Sequence, residues 1–129
     1  MSDIDVLKSG YRAFIAGDVP TVLGIFDENI TWHYPGKSPL GGTYHGHDEV
    51  VAFFTKLGEL SGGTFAIEPQ KYFAAEDGSG VVVLAKTTGQ RNGRTLDMTE
   101  VHGWSMTDGK ATDFWANPHD LYLVDEFWS

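Results

Sequence analysis

The segment from Thr64 to Pro118 restricts the fold more than any other part of the sequence. It contains four stretches rich in β-branched and aromatic residues, and short turns with glycine or asparagine separate them. Strands that follow one another across such short turns pair antiparallel. We therefore predict four consecutive antiparallel strands, over residues 64–75, 80–90, 94–106 and 110–118.

Three stretches in the first sixty residues have helical periodicity instead. Ser2 and Asp5 form a capping pattern at the start of the first helix, and Gly17 can end it in a left-handed conformation. Asp18 is placed to cap the second helix, and the third begins near Asp48, whose charge is favourable at a helix N-terminus. The apolar stripes that define the helices are Ile4, Leu7, Tyr11, Phe14 and Ile15; Val19, Val22, Leu23 and Phe26; and Val50, Phe53, Phe54, Leu57 and Leu60.

The remaining segments complete an α+β fold. Residues 30–36 are β-branched and aromatic and end in Pro-Gly, which predicts a short strand, whereas residues 37–47 predict a long loop. The last eleven residues predict a short turn of helix or a tail that packs on the sheet through Leu121, Val124 and Trp128. We therefore predict a single domain over residues 1–129, in which three N-terminal helices pack on one face of a curved, mostly antiparallel sheet. Such a sheet leaves a cavity at its open end.

The charge of the chain argues against several classes of partner. With 18 acidic and 9 basic residues, the formal net charge is −9, so neither nucleic acid nor an anionic membrane is expected to bind. No apolar run approaches the roughly 20 residues that span a bilayer. The first ten residues lack the pattern of a signal peptide, which predicts a cytoplasmic location. The absence of cysteine excludes disulfides and thiolate catalysis.

The third of the four predicted strands carries two titratable residues on its apolar face. Side chains alternate along a strand, so Glu100 and His102 share a face with Met98, Trp104 and Met106. An unpaired buried charge costs several kcal/mol, a large part of the ~5–15 kcal/mol that stabilises a domain. Two explanations remain open: the residues form a structural pair in the core, or this face lines a cleft in which both can move protons.

The segment from His45 to Glu49 suggests a metal site at first sight. Two histidines and two acids lie within five residues, but the pattern fits a junction between a loop and the third helix. No other histidine-rich segment supplies the remaining ligands. We interpret the segment as a solvated helix start and predict no metal site.

Several segments resemble the SnoaL-like branch of the NTF2-like superfamily, to which ketosteroid isomerases and polyketide cyclases belong. They are "YRAFIAGD", "WHYPGKSPLGGTYHGHDEVVAFF", "EVHGWSMTDGK" and the terminal "DEFWS". The resemblance runs over nearly the whole chain. It implies a cone-shaped α+β barrel, an apolar pocket inside the cone and commonly a homodimer.

The residues of the steroid isomerases do not carry over to this chain. Those enzymes have a general-base aspartate where this sequence has Tyr34, and an oxyanion-hole tyrosine near the position of Gly10, with Tyr11 one residue out of phase. Their second pocket acid corresponds best to His102. Steroid isomerisation is therefore not predicted, and the Asp-Arg-Asp pattern of related epoxide hydrolases is not visible either.

The resemblance also orients two other strands. It places Trp32 and Tyr34 on the cavity side of the strand at residues 30–36. On the last strand it places Phe114 inside and leaves Trp115 for a dimer contact or the pocket rim.

Our first hypothesis is a cofactor-independent proton-transfer enzyme, isomerase- or cyclase-like, that acts on a small apolar carbonyl compound. Glu100 is its predicted base, His102 the partner or proton donor, and Tyr34 the hydrogen-bond donor to the carbonyl. The predicted apolar walls of the substrate site are Trp32, Phe54, Trp104 and Phe114.

Two alternatives involve no chemistry. The same pocket could hold a hydrophobic ligand without turning it over. Alternatively, the outer face of the sheet, with Thr99, Val101 and Ser105, could serve as a dimerisation surface.

Overall fold

A six-stranded sheet and four helices make up the protein. The computed structural model describes the whole chain, from Met1 to Ser129. The elements in chain order are α1 (Asp3–Ile15), α2 (Val19–Gly24), β1 (Phe26–Tyr34), β2 (Gly42–His45), α3 (Gly46–Leu60), β3 (Ala66–Ala74), β4 (Gly80–Arg91), β5 (Arg94–Thr107), β6 (Lys110–Pro118) and α4 (Leu121–Trp128). The predicted α+β class, with helices on a curved and mostly antiparallel sheet, is confirmed.

The strands lie in the order β2-β1-β6-β5-β4-β3. The four predicted strands of the second half are present as β3 to β6, and each pairs antiparallel with the next. β1 joins this group through a parallel pairing with β6, in which Trp32 lies opposite Phe114. This one parallel contact brings the first strand beside the last, so β1, β6 and β5 present their inner faces to the same space.

The first strand and the loop after it differ from the prediction. β1 begins at Phe26, four residues before the predicted start, because Phe26 pairs with Ala111 of β6 and a register shift follows before Thr31. Phe26 therefore belongs to the sheet and not to the second helix. The predicted loop contains β2, which pairs with residues 31–34 of β1. A four-residue edge strand held by its neighbour has little signal of its own in the sequence.

The C-terminal segment, predicted as a short turn of helix or a tail in addition to the three N-terminal helices, forms a fourth helix of eight residues. Asp120 caps α4 by accepting hydrogen bonds from the backbone N–H groups of Tyr122 and Leu123. Val124 and Trp128 are buried as predicted. Leu121 is 39% exposed, so its predicted packing on the sheet is wrong; Phe127 is buried with the other two.

The core lies between the inner face of the sheet and the helices. The alternation of β5 is regular, and Met98, Glu100, His102, Trp104 and Met106 are all buried. From the other side, α1 and α3 contribute further side chains, among them Leu7, Tyr11, Val50, Phe53 and Leu57. None of the helices combines the length and the apolar character needed to cross a membrane.

Candidate functional site

A cavity of about 70 Å³ lies within this core. Nineteen residues line it, and 16 of them are hydrophobic. Helices α1, α2 and α3 and strands β1, β3, β5 and β6 all contribute side chains. Its only ionisable carboxylate and imidazole belong to Glu100 and His102, so the walls favour an apolar occupant with a polar group at one place.

The structure brings all seven predicted site residues to this one cavity. Their assignment to catalysis or binding stays a prediction. They are Trp32, Tyr34, Phe54, Glu100, His102, Trp104 and Phe114.

Glu100 and His102 form a buried pair. Oε1 of Glu100 lies 3.0 Å from Nε2 of His102, and the two residues are 3% and 4% exposed. Their cross-strand neighbours include Ala85 on β4 and Ala116 on β6, whose short side chains leave room for longer polar ones beside them. The second carboxylate oxygen of Glu100 accepts a longer bond, 3.4 Å, from the hydroxyl of Thr87.

Tyr11 joins the pair, a contact that the sequence analysis missed. Its hydroxyl lies 2.6 Å from Nδ1 of His102 and accepts a 3.0 Å hydrogen bond from Nε1–H of Trp104. Burial raises the pKa of the Tyr11 phenol, so the hydroxyl keeps its proton and can donate it to His102. The signal in the sequence was a single tyrosine on the buried stripe of α1. Tyr11 lies one residue after the position of the oxyanion-hole tyrosine in steroid isomerases, which corresponds to Gly10. Both Gly10 and Tyr11 nevertheless line the cavity.

These contacts fix the proton positions of a neutral His102. The Tyr11 hydroxyl has one proton, and because the oxygen already accepts from Trp104, that proton points to Nδ1 of His102. The ring proton of His102 is then on Nε2, from which it donates to the carboxylate of Glu100. Trp104, Tyr11, His102 and Glu100 thus form one continuous hydrogen-bonded chain, which we call the polar chain.

Tyr34 lies apart from the polar chain. Its hydroxyl accepts a 3.1 Å hydrogen bond from Nε1–H of Trp128 and makes no bond to Glu100 or His102. Burial raises the pKa of the Tyr34 phenol, and the nearby charge of Glu100 raises it further. The hydroxyl therefore stays protonated, and its proton has no acceptor in the protein.

The aromatic walls are packed against one another. The rings of Trp32 and Phe114 stack with centroids 3.8 Å apart, and Phe54 meets Trp32 edge-on at 5.4 Å. Phe114 is 3% exposed and Trp115 is 40% exposed. The prediction that Phe114 faces inward is confirmed. Outside the sheet, Trp115 stacks on His33 with centroids 5.2 Å apart.

The segment from His45 to Glu49 builds the start of α3. His45 ends β2, so this is a strand-to-helix junction and not the predicted loop-to-helix junction. The side chain of Glu49 accepts a hydrogen bond from the backbone N–H of His45, and Nε2 of His47 lies 3.1 Å from the carbonyl oxygen of Phe26. No three histidine, aspartate or glutamate side chains come together in an arrangement that could hold a metal ion.

Comparison with known proteins agrees with this architecture. The family model of the SnoaL-like domain matches residues 7–114. The solved structure of Bal32a, from a soil-derived mobile gene cassette, is 33% identical with a TM-score of 0.94, over 98% of this chain and 96% of that one. An NTF2-like protein of unknown function from Burkholderia pseudomallei K96243 is 28% identical with a TM-score of 0.89, over 100% and 99% of the two chains. TerC, co-crystallised with polyporic acid, is 27% identical with a TM-score of 0.85, over 97% and 96%.

Proposed function

The chain belongs to the SnoaL-like family, and on that basis we propose that it is a cofactor-independent proton-transfer enzyme, isomerase- or cyclase-like, that acts on a small, mostly apolar carbonyl compound. The observation that carries the proposal is the polar chain, which presents Glu100 and His102 to a cavity whose other walls are almost entirely apolar. Titratable pairs in such surroundings are typical of sites that move protons.

The size of the cavity favours a small substrate. An engineered apolar cavity of about 150 Å³ binds benzene, whereas this cavity has about 70 Å³. A ring-sized substrate therefore has to displace wall side chains. Phe14 and Phe54 are only partly buried and pack edge to face at 5.3 Å, so they are the walls that can move with the least loss of packing.

Glu100 is the proposed base. Oε1 is engaged by His102, while Oε2 has only the long contact with Thr87 and retains a lone pair for the substrate. In the first step Oε2 takes a proton from the carbon next to the carbonyl. The C–H bond breaks, an O–H bond forms on Glu100, and the electron pair moves onto the carbonyl oxygen to give an enolate. Return of the proton to another carbon completes an isomerisation.

His102 and Tyr34 have supporting roles in this scheme. Nε2–H of His102 orients the carboxylate and stabilises it before the transfer, and Tyr11 keeps the ring in the tautomer that does so. Tyr34 donates its unused proton to the carbonyl oxygen, where negative charge develops. Its raised pKa keeps that proton in place at neutral pH.

The second candidate function is a hydrophobic-ligand-binding module without chemistry. Both ring nitrogens of His102 and both carboxylate oxygens of Glu100 have hydrogen-bond partners within the protein. The pair is therefore satisfied without a substrate, which favours this second function. The likeness to TerC, which was crystallised with polyporic acid, supports a bound molecule under either hypothesis and makes polyporic acid a reasonable binding probe.

Exchange of α-protons separates the two functions. The native protein should accelerate deuterium uptake next to the carbonyl of 1-tetralone in D₂O, followed by proton NMR. Glu100→Gln should lower that acceleration at least tens of fold while the fold persists. Asp97→Asn is the matched control, because Asp97 is an acid of the same strand whose side chain is 62% exposed on the opposite face. Binding of 1-tetralone without any exchange would favour the ligand-binding module.

We also propose that two copies pair through the outer face of the sheet. Phe73, Val82, Gly103 and Trp115 lie side by side across β3, β4, β5 and β6. The three large side chains of this row are 53%, 39% and 40% exposed in chain order. A contiguous apolar row of this kind is typical of a protein interface.

A further inference from the structure

One wall of the cavity carries a hydrogen-bond donor that the fold leaves without a partner. Nε1 of Trp32 is buried and has no acceptor within the protein, and the residue is 7% exposed. A buried N–H without a partner loses its hydration and gains no hydrogen bond in return, and native structures contain few such groups. The group therefore needs an explanation.

The other tryptophans make the exception clear. Nε1–H of Trp104 donates to the hydroxyl of Tyr11, and Nε1–H of Trp128 donates to the hydroxyl of Tyr34. Trp115 lies on the outer face and is 40% exposed, so its indole N–H can donate a hydrogen bond to water. The fold thus provides an acceptor for each of the other buried indoles and omits one only for Trp32, in the cavity lining.

A second unused donor lies beside it. Trp32 and Tyr34 are two residues apart on β1, so their side chains leave the strand on the same face, with starting points roughly 6.6 Å apart. Both line the cavity. The hydroxyl proton of Tyr34 also lacks an acceptor in the protein, since its oxygen is used only to accept from Trp128.

We propose that Trp32 is a polar contact for the bound molecule, donating a hydrogen bond from Nε1–H to an acceptor oxygen of the substrate. Together with Tyr34 it selects a flat, apolar molecule with two acceptor oxygens, one for each of the two donors on this face of β1. The inference rests on the proposed function for the existence of a bound substrate, and it adds a second oxygen to the carbonyl that reacts. Trp32 was predicted only as an apolar wall.

The test compares three bicyclic probes that differ in acceptor number: naphthalene, 1-tetralone and 1,4-naphthoquinone. The chain has no cysteine that could add to the quinone. The native protein should bind the quinone about tenfold more tightly than 1-tetralone, as expected for one added hydrogen bond to a buried donor. In a protein labelled with ¹⁵N at the indoles, the Trp32 resonance should shift on addition of the quinone and remain in place with naphthalene.

Two replacements of Trp32 carry the test. Trp32→Phe removes the N–H and also reduces the volume of the side chain. Replacing the indole of residue 32 by a benzothiophene substitutes sulfur for the N–H at nearly constant shape. The second variant keeps the test valid if Trp32→Phe fails to fold. Both should abolish the tenfold preference for the quinone while naphthalene affinity in the benzothiophene variant stays within twofold. Trp115→Phe is the control, and its order of affinities should match the native protein.

Three results would overturn the inference. The preference for the quinone could survive in the benzothiophene variant, all three probes could weaken equally, or none of them could bind the native protein. Failure of the proposed chemistry gives a different result: the quinone preference depends on Trp32, but α-proton exchange into 1-tetralone is no faster than without protein.

Discussion

The hydroxyl of Tyr11 lies 2.6 Å from Nδ1 of His102, although the two residues are 91 positions apart in the chain. The contact joins the first helix to the middle of β5. It also links an apolar helix face to the only acid–imidazole pair in the cavity, so the helix position and the tautomer of His102 depend on each other.

Tyr11→Phe should destabilise the protein and alter His102. The change leaves two buried groups without partners, Nε1–H of Trp104 and Nδ1 of His102. We expect a loss of about 2–4 kcal/mol in the free energy of unfolding, measured by urea denaturation. The ¹⁵N resonances of the His102 ring should move in the same variant, because the donor that holds its tautomer is gone.

Tyr72→Phe is the matched control for that change. Tyr72 packs edge-on against Tyr11 with ring centroids 6.2 Å apart, but its hydroxyl makes no hydrogen bond within the protein. Tyr72→Phe should change the free energy of unfolding of the protein by less than about 0.5 kcal/mol. Equal losses in the two variants would show that the hydroxyl of Tyr11 contributes nothing specific to the polar chain.

The pairing of Glu100 with His102 could be anticipated from the sequence, but Tyr11 could not. Alternation along one strand is a local property, and it placed both residues on the buried face before any tertiary contact was known. The phase of α1 relative to the sheet is set by packing between distant segments. Because Tyr11 belongs to an apolar stripe, the sequence was equally consistent with a tyrosine that only packs in the core.

The same distinction holds for the fold. The strands β3 to β6 follow from alternation and turn residues that lie next to one another in the chain. β2 and the early start of β1 depend on pairing with strands from elsewhere, and the bond from Trp128 to Tyr34 spans 94 positions. Local patterns contain no information about such contacts.

Stability should fall at alkaline pH because of the two buried tyrosines. Burial raises the folded-state pKa of Tyr11 and Tyr34 above the ordinary value of 10.0. Above about pH 10 the unfolded chain releases these protons while the folded chain keeps them, so unfolding becomes more favourable by up to about 1.4 kcal/mol per pH unit for each tyrosine. Below pH 10 both states bind the protons and this contribution to stability is fully present.

Urea denaturation between pH 9 and 11.5 measures this effect. Tyr34→Phe should reduce the steepness of the decline by close to one proton, and Tyr122→Phe should leave it unchanged, since Tyr122 is 88% exposed. Identical slopes in the native protein and in Tyr34→Phe would contradict a raised pKa for the Tyr34 phenol.

Arg94 should be required to hold α4 on the sheet. Its guanidinium donates hydrogen bonds to the carbonyl oxygens of Glu126, Phe127 and Ser129 at the end of the helix, where backbone carbonyls lack partners within the helix. Arg94→Met should lower the free energy of unfolding by about 1–3 kcal/mol and speed hydrogen exchange in the last helical turn. Arg12→Met, which removes a guanidinium that makes no hydrogen bond in the structure, should do neither. Unchanged exchange rates in Arg94→Met would show that the apolar contacts of Phe127 and Trp128 suffice.

The proposed pairing of two copies predicts that one surface substitution blocks association. Trp115 packs over Gly103, with a ring atom 3.7 Å from where a glycine Cβ would stand, and it forms the β6 end of the exposed apolar row. Trp115→Lys places a charge there, and because a symmetric interface uses the same surface of both copies, the pairing would have to bury two lysines. Sedimentation velocity over a hundredfold range of concentration should give a dimer for the native protein and a monomer for this variant.

Tyr122→Lys makes an equal change of charge on α4, away from the sheet, and should remain dimeric. Loss of the dimer in both variants would point to net charge as the cause, and a monomeric native protein would refute the pairing altogether.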